Sequence, residues 1–157
     1  MSARGPGRVW VRAAAVWSTT RGPIPVCERM VAVRTELPAD ESAPAQARAL
    51  VREAFCPLHA GGLFDDAELL VSEVVTNAAR HGAPPITVEI GCEGEAGLVV
   101  RVSDDGTAAP VRRTPGWDEE GGRGVALVDV ISDAWGVEPT AAGKQVWFRL
   151  RRPRVTG

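Results

Sequence analysis

The chain has 157 residues, 45% of them hydrophobic and 24% charged, a balance suited to one packed domain rather than to disorder over most of its length. Its 18 basic and 20 acidic side chains leave a formal charge of -2, which gives no electrostatic footprint for a nucleic acid or an anionic membrane surface. Arginines and acids interrupt every apolar run, so the sequence offers no membrane span and reads as a soluble, cytoplasmic protein.

Residues 1–30 stand apart: Arg4, Arg8, Arg12 and Arg21 occur with no acid before Glu28. Arg12 splits the apolar run around it and no small-residue cleavage pattern follows, which argues against an export signal. The segment reads as a flexible extension, with Met30 as a candidate start, ahead of a domain spanning 31–152 and a tail at 153–157. Cys27, Cys56 and Cys92 are odd in number, widely spaced and without a CxxC pair. That spacing suggests neither a disulfide framework nor a zinc site, and the thiols read as buried or incidental.

From Val31 the chain alternates apolar and polar residues as far as Leu37, predicting a first strand over 31–37. A break at 38–44 precedes a helix over 45–55, whose Ala47, Leu50, Val51 and Ala54 share one side. Pro57, Gly61 and Gly62 close it. A second helix opens at Asp65 or Asp66, runs to His81 and carries Ala67, Leu70, Val71, Val74, Val75 and Ala78 on its apolar face. Gly82 ends it. Strands over 86–92 and 98–103 form a hairpin, a loop without periodicity covers 107–121, a short helix covers about 124–132, and strands at 135–138 and 145–151 close the domain. This order predicts an α/β chain of α+β two-layer type: a mixed, largely antiparallel sheet covered on one face by helices, not a doubly wound parallel sheet.

Three places carry residues suited to chemistry. On the second helix, Glu73 and Asn77 project one turn apart on the flank of the apolar arc, where an acid and an amide can serve as a base and a ligand for Mg²⁺, a hard cation that takes oxygen donors. Taken alone, such a pair is common on exposed helix surfaces. An alternating strand then delivers Asp104 at its end, followed by Asp105 and Gly106. A carboxylate there can accept from an exocyclic amino group, although Asp-Gly is also ordinary turn chemistry. The loop that follows holds Arg112, Arg113 and three acids at 118–120, and its length suits a lid. Finally, Gly122-Arg123-Gly124 opens an apolar helix, where unpaired N–H groups can approach phosphate oxygens. It lacks the Lys-Ser/Thr ending of a P-loop and the setting of a dinucleotide-binding fingerprint.

In this order, Glu73-x-x-x-Asn77 resembles the N box, Asp104-x-Gly106 the first glycine box and Gly122-x-Gly124 the second glycine box of the GHKL ATPase superfamily. The stretches from Leu70 to Gly82 and from Gly143 to Leu150 are similar to its compact anti-sigma-factor serine/threonine kinase branch of actinobacterial type. The resemblance covers residues 31–150 and implies a Bergerat-type ATP-binding fold with ATP and Mg²⁺ as cofactors. It implies that Asp104 binds the adenine amino group, Gly106 shapes the adenine pocket, Asn77 coordinates Mg²⁺ and Glu73 activates the nucleophile. Gly122 and Gly124 would hold phosphate oxygens, with Arg112, Arg113 or Arg123 available to neutralise charge. Gln145 stands where many relatives have a threonine that assists the adenine contact, and Ala108 where a second glycine often follows the first box. The implied partners are a sigma factor and an antagonist protein, with a homodimer as the common assembly of relatives and no direct contact to nucleic acid or membrane. A nucleotide-gated binding module without phosphoryl transfer is the alternative. His59 and His81 read as structural, and Trp135 and Trp147 as core.

Overall fold

The computed structural model describes residues 32–106 and 120–152. The expected extension at 1–30, the tail at 153–157 and residues 107–119 of the loop expected over 107–121, with Ala108, Arg112 and Arg113, lie outside them. Among the described residues the elements are β1 (Val33–Leu37), α1 (Ala43–Glu53), α2 (Pro57–Ala60), α3 (Phe64–His81), β2 (Ile86–Cys92), β3 (Leu98–Asp104), α4 (Glu120–Ile131), β4 (Ala134–Pro139) and β5 (Lys144–Leu150). The five strands form one sheet in the order β1-β2-β3-β5-β4, and all four pairings are antiparallel. No described helix is long and apolar enough to cross a membrane.

Strand alternation decides which side of this sheet is covered. In β2, Ile86, Val88, Ile90 and Cys92 are buried while the residues between them are partly exposed. Register carries that face across the sheet: Val88 lies opposite Val102, Ile90 opposite Val100, Val100 opposite Phe148, and Phe148 opposite Trp135. These residues join the apolar stripe of α3 and Ala47, Leu50 and Val51 of α1 in one core. Removing about 25 cal/mol per Å² of apolar surface from water is what holds the helices on this face. Trp135 is buried in this core, as expected, whereas Trp147 is buried on the other face of the sheet, opposite Arg101, and does not belong to the core.

The opposite face carries charged side chains beside the buried Val99, Ala134 and Trp147. Glu89 lies 3.3 Å from Arg101 and 3.9 Å from Arg34, and Arg101 lies 3.6 Å from Glu93. Burial pushes the Glu93 carboxyl above its usual range against the pull of Arg101 and Arg149, and burial also pulls Arg149 below its own.

Several element ends differ from expectation for identifiable reasons. The helix expected over 45–55 starts at Ala43, because Pro44 sits in its first turn, where the missing N–H has no intrahelical partner to lose. α3 starts at Phe64, which places Asp65 and Asp66 in the first turn rather than at the cap, still favourable to the helix dipole. Phe64 also meets Phe55 edge to face, with centroids 5.2 Å apart. Pro57 does not merely end α1: it opens the four-residue α2. α4 starts at Glu120 instead of about Gly124, so its glycines are helical. Each glycine costs about 1 kcal/mol there relative to alanine, offset by the packing of Leu127, Val128 and Ile131 on the core.

Candidate nucleotide site

The end of β3 builds the candidate site. Asp104 has the same strand parity as Val100 and Val102, so its carboxylate lies on the helix-covered face at the sheet's end, where it is 3% exposed. A carboxylate this buried requires partners. Its Oδ1 accepts from the Gly106 N–H at 2.8 Å and from Lys144 Nζ at 3.1 Å. Both contacts fall on one oxygen. Lys144 is the cross-strand neighbour of Asp104 in the β3–β5 register, and its side chain is itself only 12% exposed.

Glycines bring backbone against this carboxylate. A Cβ on Gly82, just past the end of α3, would lie 2.6 Å from both Asp104 Cγ and Oδ1. One on Gly106 would lie 2.7 Å from Oδ1 and 3.0 Å from the Cα of Gly82. The Asp105 N–H donates to the Ala83 carbonyl at 2.9 Å, which ties the end of β3 to the chain leaving α3. The last turn of α3 and the end of β3 therefore share one wall.

Asn77 and Glu73 lie farther back along α3. Asn77 lies about one turn before the helix end and Glu73 one turn, or about 6 Å, farther. Both are partly buried. The other flank of α3 is taken by α1, where Arg48 donates to Ser72 at 3.0 Å and Arg52 lies 2.8 Å from Glu68. α3 packs against both α1 and α4, and Asn77 and Glu73 lie on the flank away from these α1 contacts. The amide oxygen of Asn77 and the carboxylate of Glu73 are hard donors, which fits Mg²⁺ and not a thiophilic metal.

The glycines of the second box occupy a different local position from the one expected. With α4 beginning at Glu120, the Gly122 N–H is among the first-turn donors that lack an intrahelical acceptor, while Gly124 lies beyond them. Of Arg123 only its helical backbone belongs to the described structure.

Gln145 is not brought to the carboxylate. It is the cross-strand neighbour of Ser103, one residue out of phase with Asp104, and its Nε2 donates to Ser103 Oγ at 3.1 Å on the opposite face. Lys144 stands beside Asp104 in its place. Neither Lys144 nor Gly82 was singled out as a site residue from the sequence. The signal for both was present in the β3–β5 parity and in the glycine at the helix stop, but reading it needs the strand register. We expect Lys144→Met to lower unfolding stability by about 2 kcal/mol, because it removes a charge-assisted hydrogen bond and leaves a buried carboxylate less compensated. Urea unfolding of the two proteins measures this, and identical midpoints would contradict it.

A second grouping was also invisible to sequence spacing: Cys56, His59 and Cys92 converge, with their sulfur and nitrogen atoms all within 4.8 Å of one another.

A five-stranded antiparallel sheet covered on one face by helices is the α+β architecture of GHKL-type ATPase domains. A family model described as "Histidine kinase-like ATPase domain" matches residues 37–150, and the chain belongs to that family. No curated protein matches the chain.

Proposed function

We propose that this ATP-binding protein is a protein serine/threonine kinase of the anti-sigma type, which binds a sigma factor in one state and phosphorylates an antagonist protein in another. The observation that carries the nucleotide part of this reading is the buried Asp104 carboxylate, held through Oδ1 by Gly106 and Lys144. In this reading Oδ2 receives the exocyclic amino group of adenine, a donor that guanine does not offer at the same position. Asn77 holds Mg²⁺, which neutralises charge on the phosphates when bound. The first-turn N–H groups of α4, Gly122 among them, face phosphate oxygens.

Phosphoryl transfer depends mostly on positioning and charge neutralisation. Glu73 takes the proton of a partner's serine or threonine hydroxyl as that oxygen bonds to the γ-phosphorus. The bond from phosphorus to the β,γ-bridging oxygen breaks and ADP departs with its electron pair. The sequence likeness of the segments 70–82 and 143–150 to anti-sigma kinases supports the choice of partner. A homodimer and a cytoplasmic setting belong to the same reading.

Purified protein incubated with labelled ATP, Mg²⁺ and candidate antagonist proteins should place label on a partner serine or threonine. Glu73→Ala should reduce the transfer rate by at least about 100-fold, the scale of general-base catalysis, while ATP affinity stays within about 2-fold. Saturable ATP binding with no label on any candidate would contradict kinase activity and favour a nucleotide-gated binding module.

A further inference from the structure

We propose that Cys56, His59 and Cys92 form a Zn²⁺ site that staples the α1–α3 connection to the sheet, apart from the nucleotide site. Cys56 immediately precedes α2 and His59 lies in its single turn, so the i, i+3 spacing brings both to one side of it. Cys92 is the last residue of β2 and shares the helix-covered face with Ile86, Val88 and Ile90. Both sulfurs are buried, Cys56 being 5% and Cys92 2% exposed, and the two cysteines form a small cluster separate from the main core.

The distances match the metal's requirements. His59 Nδ1 lies 3.7 Å from Cys56 Sγ and 3.4 Å from Cys92 Sγ. In a tetrahedral site with Zn–S near 2.3 Å and Zn–N near 2.0 Å, the sulfur-to-nitrogen edge is about 3.5 Å. One imidazole nitrogen thus faces both sulfurs at ligand-to-ligand distance. Two thiolates and a neutral imidazole are borderline-to-soft donors that suit Zn²⁺ and exclude Mg²⁺ or Ca²⁺, which take oxygen. Binding would release the two thiol protons and hold His59 with its proton on Nε2. Among the described residues the group has these three protein ligands.

The site is remote from the nucleotide. Thr87 at the start of β2 pairs with Ser103 beside Asp104, whereas Cys92 pairs with Leu98 at the other end of the strands. The six residue steps from Ile86 to Cys92 span about 20 Å. What Zn²⁺ joins is the α2 turn to the far end of β2, which the sulfur–imidazole contacts already bring together.

The test uses the reduced, metal-free full chain, titrated with Zn²⁺ against a chromophoric chelator and with Co²⁺ as a spectroscopic probe. The expected result is a single Zn²⁺ per chain and a Co²⁺ spectrum with thiolate charge-transfer and tetrahedral ligand-field bands. Cys56→Ser, Cys92→Ser and His59→Gln should each weaken Zn²⁺ binding by at least about 100-fold, while Cys27→Ser and His81→Gln leave it unchanged. Should a variant fail to fold, the native chain gives a second reading: Zn²⁺ should protect Cys56 and Cys92 from alkylation, scored by mass spectrometry with Cys27 as the internal reference. Absence of Zn²⁺ binding by the reduced chain, binding unaffected by loss of Cys56 or Cys92, or equal alkylation with and without Zn²⁺ would each overturn the proposal.

Discussion

Asp104→Asn should weaken ATP binding by about 10- to 100-fold, the equivalent of losing one charge-assisted hydrogen bond in a dry site, while the fold persists. The substitution keeps the shape of the side chain and an oxygen able to accept from the Gly106 N–H, which lies 2.8 Å from Oδ1. What changes is charge. In the proposed reading the adenine amino group loses an anionic acceptor, and the Lys144 ammonium, 3.1 Å from Oδ1, loses its counter-ion. Titration calorimetry measures the effect on ATP, and circular dichroism checks the fold. Equal affinities for the two proteins would show that this carboxylate does not contact the nucleotide.

Gly143→Ala should lower stability by about 3 kcal/mol, because the obstruction is backbone that no rotamer change can relieve. A Cβ at Gly143 would collide with the Asp104 carbonyl oxygen and lie 2.6 Å from the Asp105 Cα. The turn preceding β5 is also fixed on its other side: the Thr140 N–H donates to the Gly143 carbonyl and the Gly143 N–H to Thr140 Oγ1, both at 2.9 Å. Neither strand can retreat without breaking the pairing that sets Lys144 beside Asp104. A lower urea midpoint at unchanged slope, accompanied by weaker ATP binding, is the expected outcome. An unchanged midpoint would mean that β3 and β5 approach less closely at this end.

Most of the architecture could be read in the chain because its periodicities are strong. Ile86, Val88, Ile90 and Cys92 alternate cleanly, and the apolar stripe of α3 needs no tertiary information to be recognised. The sandwich with a helix-covered, mixed but largely antiparallel sheet followed from these, and all four pairings are antiparallel. The boundaries were less legible where propensity and packing pull apart. Gly121, Gly122 and Gly124 argue locally against a helix, yet the residues that follow are apolar enough to carry α4 back to Glu120. Pro44 looks like a breaker until it is seen in a first turn.

The site was legible in part, and the dividing line is strand parity. Asp104 and Gly106 are local features of one strand end, and sequence alone presents them. Which residue of β5 faces Asp104 depends on a register between segments about forty positions apart in the chain. A one-residue difference exchanges the faces, which is why Gln145 lies against Ser103 and Lys144 meets the carboxylate. The Cys56, His59 and Cys92 grouping was hidden for a related reason. Its members come from a short helical turn and a strand end, a combination that no compact spacing pattern announces.

The central claim is that the Asp104 carboxylate reads the base of ATP, and the direct measurement keeps the protein intact and changes the base. Calorimetric titration of the native chain with ATP and with GTP, at the same Mg²⁺ and ionic strength, should give ATP a lower Kd by at least about 10-fold, since guanine presents a carbonyl oxygen where adenine presents an amino donor. Equal affinities for ATP and GTP would contradict the account.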